Sequence, residues 1–348
     1  MLKKLKKLET IDSETKHWIR KSIIRRNLTI FVLIIFMLGY FGIAYRNYMT
    51  TYELYDVMSY FIDWNVLEAR IDEVIDEDLY VEEYDWAPFE GTDDLSTYDR
   101  FHLYATQLIL NDVNSHLDGM MQYYNYIESN AAVEKYDDYL ANTETFYAST
   151  IGSDFYLGVY SFEERHTDDI LDYAGPINVA NRLFIDLRDN PGGYMVYAFE
   201  MIDLFLEKDI PILSDVQYGI DGNEDVYEEV TLTEAKLKPK EIVILVDEYT
   251  ASSAEIVTYA LNAHLDNVTI VGQNTYGKGI STLTFDNYYG ANITVLSSYF
   301  NMYNRDGSKT SYQNEGIPAE IEYVWKSEEY DENYKKLIAD MNRLIDGN

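Results

Sequence analysis

The segment from Lys240 to Gly279, KEIVILVDEYTASSAEIVTYALNAHLDNVTIVGQNTYGKG, constrains the fold more than any other part of the chain. Ile242 to Val246 is a continuous apolar run, rich in β-branched residues and of strand length, which reads as a buried strand. A polar turn, Asp247 to Thr250, separates it from a helical pattern starting near Ala251. In that pattern Ile256, Tyr259, Ala260 and Ala263 share one face at steps of three and four. A second buried strand, Val268 to Val271, runs into Tyr276-Gly277-Lys278-Gly279. Successive strands of a parallel sheet end at the same edge. The hydroxyls of Ser252 and Ser253, at a strand-to-helix junction, are therefore expected to meet the amine of Lys278, as nucleophile and base.

Local settings add to this expectation. A serine at a helix start has free backbone N–H groups and the positive end of the helix dipole beside it, which suits a developing oxyanion. A lysine serves as a general base only when neutral, so burial has to lower its pKa. Glycines 277 and 279 let the backbone turn tightly enough to direct that amine inward. A third strand end, Leu183–Leu187 followed by Arg188-Asp189-Asn190-Pro191-Gly192-Gly193, offers further N–H donors at Gly192 or Gly193. Each piece also has an ordinary reading as a helix cap, a turn or a loop.

Around this segment the chain alternates strand and helix. Phe155–Tyr160 reads as a strand, Glu163–Ala174 as a helix and Val196–Leu206 as another, which together imply an α/β fold with a mixed, largely parallel sheet. Thr282–Phe285 and Asn292–Tyr299 are β-rich, and Glu328–Ile345 is a polar helix. Residues 47–150 show apolar positions at helical spacing, as in Val66–Ile75, Tyr98–Leu110 and Ala132–Tyr147, and read as a helical N-terminal or cap domain. The expected catalytic core covers 151–325 and the C-terminal helix 326–348.

The N-terminal end is different in character. Leu28–Tyr45 is 18 residues without a charge, close to the minimum for one membrane crossing. Residues 1–27 are basic, with Arg20, Lys21, Arg25 and Arg26 before the apolar run and only Arg46 just after it. The positive-inside rule then predicts a single-pass transmembrane helix at 28–45, a cytoplasmic N-terminus and an extracytoplasmic remainder. No clear small-x-small cleavage site follows the run, which favours an uncleaved anchor over a signal peptide.

Charge narrows the partners. Residues 1–46 carry ten Lys/Arg against three Asp/Glu, whereas the rest carries 17 against 58, a balance of −41. Such a surface repels phosphate backbones, so no nucleic-acid partner is expected. The chain has no cysteine, hence no disulfide framework and no thiolate metal site. Asp221-Gly222-Asn223-Glu224-Asp225 begins like a calcium loop, but positions six and twelve are Val226 and Leu232. No zinc motif or phosphate-binding glycine loop is present, so neither metal nor cofactor is expected.

Taken together, Leu187–Gly193, then Thr250-Ala251-Ser252-Ser253-Ala254-Glu255, then Thr275-Tyr276-Gly277-Lys278-Gly279 resemble the C-terminal processing (tail-specific) peptidases in order and approximate spacing. Gly316-Ile317-Pro318-Ala319-Glu320 is similar to that family's glycine–proline–acid element. The resemblance spans about Asp154 to Tyr323. It implies a crotonase-like (ClpP/crotonase-type) core and a serine–lysine endopeptidase acting on proteins or peptides. It further implies Ser252 as nucleophile, Lys278 as general base, Glu255 as the acid one turn after the nucleophile, and an oxyanion hole from Ser253 and Gly192 or Gly193. Counting the family's usual 25 residues back from the lysine lands on Ser253, while the phase of the motif selects Ser252. The sequence departs from the family at Thr282, where a glutamine is common, and in lacking a segment for a PDZ insertion. A histidine used by some relatives has its nearest counterpart in Asn111–His116. The alternatives are an inactive membrane-tethered binding module that keeps the fold, or an acidic surface protein binding calcium or cationic wall components.

Overall fold

The computed structural model describes residues 126–129, 143–218, 224–287, 291–326 and 334–347, with isolated positions at 21, 30–32, 34, 35, 37 and 110. The chain forms two compact units, Met1–Asp56 and Val57–Asn348. The elements from Tyr126 onward belong to the second. In chain order they are β1 (Tyr126–Ser129), β2 (Phe146–Ile151), β3 (Asp154–Val159), α1 (Thr167–Asp172), α2 (Ala174–Val179), β4 (Leu183–Asp186), α3 (Met195–Ile202), β5 (Pro211–Tyr218), β6 (Glu224–Val230), β7 (Ile242–Val246), α4 (Ser253–His264), β8 (Val268–Gly272), β9 (Ile280–Asn287), β10 (Ala291–Tyr303), β11 (Lys309–Thr310), β12 (Ile321–Glu322) and α5 (Tyr334–Ile345).

One sheet has the order β12-β8-β7-β4-β3-β2, in which β3, β4, β7, β8 and β12 run parallel and β2 is antiparallel to β3. Its strands are apolar at nearly every position because both faces are covered. Alternate residues serve the two sides. Leu157, Ile185, Ile244 and Ile270 pack with Ile256, Val257, Ala260 and Leu261 of α4 and with Ala198 and Met201 of α3. Tyr156, Phe184, Val243, Leu245 and Val271 face Trp325 and, on α5, Leu337, Ile338 and Met341. Each such Leu, Ile or Val side chain contributes about 1.5–3 kcal/mol on full burial. The second sheet, β1-β10-β5-β6 with β9 and β11 also on β10, pairs antiparallel throughout, and β10 carries a bulge between Leu296 and Ser298 against β9.

Several sequence expectations need correction. The region read as mostly helical contains β1, and the end of its Ala132–Tyr147 helix is the start of β2. The boundary expected at 150/151 thus falls inside a strand, which returns into β3 through a turn at Gly152 with φ +64°. The helix expected at Glu163–Ala174 is two short helices that break at Tyr173. Residues 163–166 are held out of helix because Phe162 pairs with Gly193 and the Glu163 N–H donates to the Ser161 hydroxyl at 3.0 Å. Pro176 lacks the N–H that a continuous helix needs there, and it sits in the first turn of α2, where that loss is tolerated. The strands β5 and β6 have no counterpart in the sequence reading. The expected membrane span lies mostly outside the described residues, although positions 30–32, 34, 35 and 37 are helical. No helix among the described residues is long and apolar enough to cross a membrane. Most of 47–150, including His116, also lies outside them.

Candidate active site

Three neighbouring strands, β4, β7 and β8, end at one edge of the parallel sheet, and their following loops build the site. After β7 comes the turn Asp247–Thr250. Asp247 is fully buried, and its carboxylate accepts from the N–H groups of Tyr249 and Thr250, each at 3.0 Å. It also accepts from the Asp189 N–H in the β4 loop, at 3.0 and 3.2 Å to its two oxygens. The Thr250 hydroxyl donates to the Leu187 carbonyl at 2.8 Å, tying the same two loops a second time. One buried carboxylate and one hydroxyl therefore set the spacing between the β4 and β7 loops.

Ser252 follows, at φ +54° and ψ −119°, directly before α4. A positive φ at a residue other than glycine costs about 1–3 kcal/mol and persists only where the surroundings impose it. Here the surroundings are visible. The Ala251 N–H donates to the Asn190 carbonyl at 2.9 Å, and the Ser252 N–H donates to Glu255 Oε2 at 2.9 Å. The sharp strand-to-helix turn lifts the Ser252 side chain to the sheet edge. Ser253 has a different fate: it is fully buried, and its hydroxyl donates to the Gly193 carbonyl at 2.7 Å.

The β4 loop approaches Ser252 closely enough to require glycine. A Cβ on Gly192 would lie 2.7 Å from the Ser252 Cβ, and one on Gly193 would lie 2.3 Å from the Phe162 backbone. Asn190, also fully buried, organises the loop: its side-chain amide donates to the Val159 carbonyl at 2.8 Å, while its Oδ1 accepts the Gly192 N–H at 2.8 Å. Of the two glycines named as oxyanion donors, Gly192 thus has its N–H engaged inside its own loop. The Gly192 carbonyl accepts from the Phe162 N–H at 2.7 Å. Because the trans peptide is planar, this turns the Gly193 N–H to the side opposite Phe162.

Glu255 joins the Ser252 and Lys278 loops. Its Oε1 accepts the Thr275 hydroxyl at 2.6 Å and the Gly277 N–H at 2.7 Å, and its Oε2 accepts the N–H groups of Ser252 at 2.9 Å and Lys278 at 2.8 Å. With two donors on each oxygen, the group is held as a carboxylate, although burial pushes its pKa upward. Glu255, the acidic residue one turn after Ser252, thus clamps the Ser252 and Lys278 loops together. Thr275 extends the clamp, accepting the Ile317 N–H at 2.7 Å. This contact explains the glycine–proline element: a Cβ on Gly316 would lie 2.3 Å from the Thr275 carbonyl, so only glycine lets that strand-entry loop press on the lysine loop. Gly277 turns at φ +89° before Lys278.

Lys278 is half-buried, and desolvation holds its pKa below the ordinary lysine value, against the opposing pull of the Glu255 and Glu163 carboxylates. The sequence reading thus anticipated Ser252, Ser253, Glu255, Lys278 and the double glycine, whose backbones all meet at this edge. It missed Asp247, Asn190, Thr275 and Glu163. The polar turn after β7, with Asp three residues before Thr, carried a side-chain-turn signal for Asp247. Glu163 carried none, because a loop contact between distant strands brings it here. Among the described residues no group of His, Asp and Glu is arranged to hold a metal ion.

Fold and site define an α/β domain whose Ser252, Lys278 and double-glycine loops share the carboxyl edge of a parallel sheet. Residues 155–323 match the model of peptidase family S41. The chain is 36% identical over 125 residues to the carboxy-terminal processing protease CtpA of Bacillus subtilis, covering 35% of this chain and 26% of that protein. It is 30% identical over 162 residues to a carboxyl-terminal-processing protease of Picosynechococcus, covering 46% and 37%. The match therefore spans well under half the length of these relatives. A lipoprotein from Streptococcus agalactiae shares the fold at a TM-score of 0.52 and 17% identity, over 86% of this chain and 96% of that one.

Proposed function

We propose that the protein is a serine endopeptidase that cleaves peptide bonds of protein or peptide substrates, with Ser252 as nucleophile and Lys278 as general base. The observation that carries this reading is Glu255 Oε2, which accepts the backbone N–H of Ser252 at 2.9 Å and that of Lys278 at 2.8 Å. Both residues are thereby held on one oxygen atom. The Ser253 hydroxyl is occupied by Gly193, which leaves Ser252 as the better-placed of the two serines. In the reaction, the neutral Lys278 amine takes the Ser252 proton as Oγ attacks the scissile carbonyl. The resulting oxyanion faces the N–H groups of Gly193 and Ser253, the latter in the first turn of α4, where N–H groups lack intrahelical acceptors. The Lys278 ammonium returns its proton to the leaving amine. The amine, neutral again, then deprotonates a water that releases the acyl group from Ser252.

In this reading the core is of the crotonase type, and a helix at Leu28–Tyr45 anchors the chain in the cell membrane, with residues 1–27 in the cytoplasm and the catalytic domain outside. The charge asymmetry about the apolar run supports that orientation. The test uses the full chain, solubilised in mild detergent, and a fluorescently labelled unfolded casein. Wild type should cleave it, while Ser252→Ala and Lys278→Ala should each lose at least ~10³-fold in kcat/KM. Equal cleavage by Ser252→Ala and wild type would overturn the assignment.

A further inference from the structure

Lys278 stands between two glycines, so side chains on its chain neighbours do little to fix its backbone. The direction of its Cα–Cβ bond follows from the two peptide planes on either side of it. The plane on the amino side is held by Glu255, whose Oε2 accepts the Lys278 N–H at 2.8 Å. The plane on the carboxyl side carries the Gly279 N–H, which donates to the side-chain Oε1 of Gln313 at 2.6 Å. Gly279 is buried, so removing that acceptor would leave its N–H without this partner and away from water. The two grips reach the lysine from distant parts of the chain, Glu255 on α4 and Gln313 in the segment after β11. That segment is itself anchored to the lysine loop. The Asn314 N–H donates to the Gly277 carbonyl at 2.9 Å, and the Asn274 amide donates to the Glu315 carbonyl at 2.7 Å. A Cβ on Gly279 would lie 3.2 Å from both the backbone nitrogen and the Cβ of Gln313, so glycine lets the two segments approach. Next to Gln313, the buried Tyr312 ring lies 6.2 Å from that of Tyr259 on α4, the helix that starts beside Ser252.

We propose that Gln313 is a positioning residue for the base: its amide oxygen fixes the Lys278–Gly279 peptide plane and so aims the lysine side chain toward Ser252. The inference rests on the assignment of Ser252 and Lys278 as nucleophile and base. Proton transfer requires the amine within hydrogen-bond reach of the hydroxyl. The amine sits at the end of a four-carbon stem, so an error in the direction of the Cα–Cβ bond is carried outward to it. Glutamine suits the task because its oxygen accepts the N–H without adding a negative charge, which would favour the protonated amine. The same amide donates through Nε2 to Asn314 Oδ1 at 2.9 Å, which sets which end of it faces Gly279.

The test compares wild type with Gln313→Met, which keeps the side-chain length but removes the acceptor, and Gln313→Glu, which keeps an accepting oxygen. Two measurements are made on the full chain in mild detergent. Hydrogen exchange at the Gly279 amide, followed by mass spectrometry, reads the contact without turnover. Gln313→Met should exchange there at least ~10-fold faster, while Gln313→Glu should stay near wild type. Casein cleavage reads the consequence, measured on the alkaline plateau so that the glutamate's charge does not alter the fraction of neutral lysine. Gln313→Met should lose roughly 10-fold in kcat with KM within about two-fold, and Gln313→Glu should recover to within about three-fold of wild type. Wild-type kcat in Gln313→Met despite faster exchange would leave Gln313 a structural contact and overturn the proposal. Unchanged exchange, or equal losses of kcat in both variants, would overturn it as well. A fully active Lys278→Ala would remove the base assignment and the positioning role with it, and the exchange difference would tell that failure from a missing contact.

Discussion

The two sheets of the Val57–Asn348 unit are built to opposite rules. In the parallel sheet β7 is buried at all five positions and β4 at all four, so the polar groups of their loops are forced to pair with one another at the strand ends. In the antiparallel sheet β6 is an edge strand, exposed at all but one position, and Glu228 and Glu224 meet Lys309 and Tyr299 in solvent-facing contacts. An ion pair in water contributes little, with a median near 0–1 kcal/mol. A buried acceptor such as Asp247 is another matter, because removing it strands its donors away from water. The contrast teaches where this molecule can tolerate change. The carboxyl edge of the parallel sheet is a network of obligatory contacts, whereas the acidic rim of the antiparallel sheet is a solvated surface.

The sharpest way to break that comparison is at Ser252. Ser252→Ala should lower casein cleavage by ~10⁴-fold or more while costing no more than about 2 kcal/mol of stability, since alanine keeps the turn and removes only the hydroxyl, which also belongs to the capping box of α4. Strong unfolding on this substitution would show that the side chain serves the fold. Next in size is Asp247→Asn. It replaces one accepting oxygen by a donor opposite the N–H groups of Asp189, Tyr249 and Thr250, and should cost about 1–3 kcal/mol of stability in urea unfolding. The accompanying displacement of the β4 loop should lower kcat by roughly 10²-fold, the scale at which small misplacements act. Wild-type kcat in this variant would mean that Asn190 and Thr250 alone hold the loops.

A smaller effect concerns pH. The folded-state pKa of Lys278 lies below its unfolded value of 10.5, so between those two values the unfolded chain binds more protons. This residue's contribution to stability therefore rises with pH across that window and is smallest below it. Lys278→Met should flatten that part of the stability profile and raise the melting temperature near neutrality by about 2 °C, the usual scale for relieving a buried charge of this kind. A steeper profile in the variant would contradict the sign. Smallest of all should be Val226→Thr on β6, half-exposed on the edge strand, with a change within about 0.5 kcal/mol. A larger loss there would show that the antiparallel sheet is not the permissive surface described.

These regions also differ in how far they could be read beforehand. Strands buried on both faces are apolar at nearly every position, so β3, β4, β7 and β8 were legible to within a residue or two. The motif glycines, Ser252 and Lys278 stood out because they punctuate those runs. By contrast β6, with four acidic residues in seven, has no apolar run to mark it as a strand. It exists because β5 offers it a hydrogen-bonding partner, as β10 does for β1, and such pairing leaves no local trace. Asp247 looked like an ordinary turn residue, and its reach to Asp189 depends on β4 and β7 lying side by side.

What the sequence determined by itself was the order of elements at the carboxyl edge of the parallel sheet and the identity of the serine and lysine whose backbones are brought there, because burial and turn chemistry act on neighbours in the chain. What only the tertiary structure decided was the work of the carboxylates. Glu255 is a clamp because donors from its own helix start and from the distant lysine loop converge on it. Glu163 lies beside the double-glycine loop because Phe162 pairs with Gly193. A carboxylate's role depends on which charges and donors surround it, and those neighbours are chosen by the packing of strands far apart in the chain.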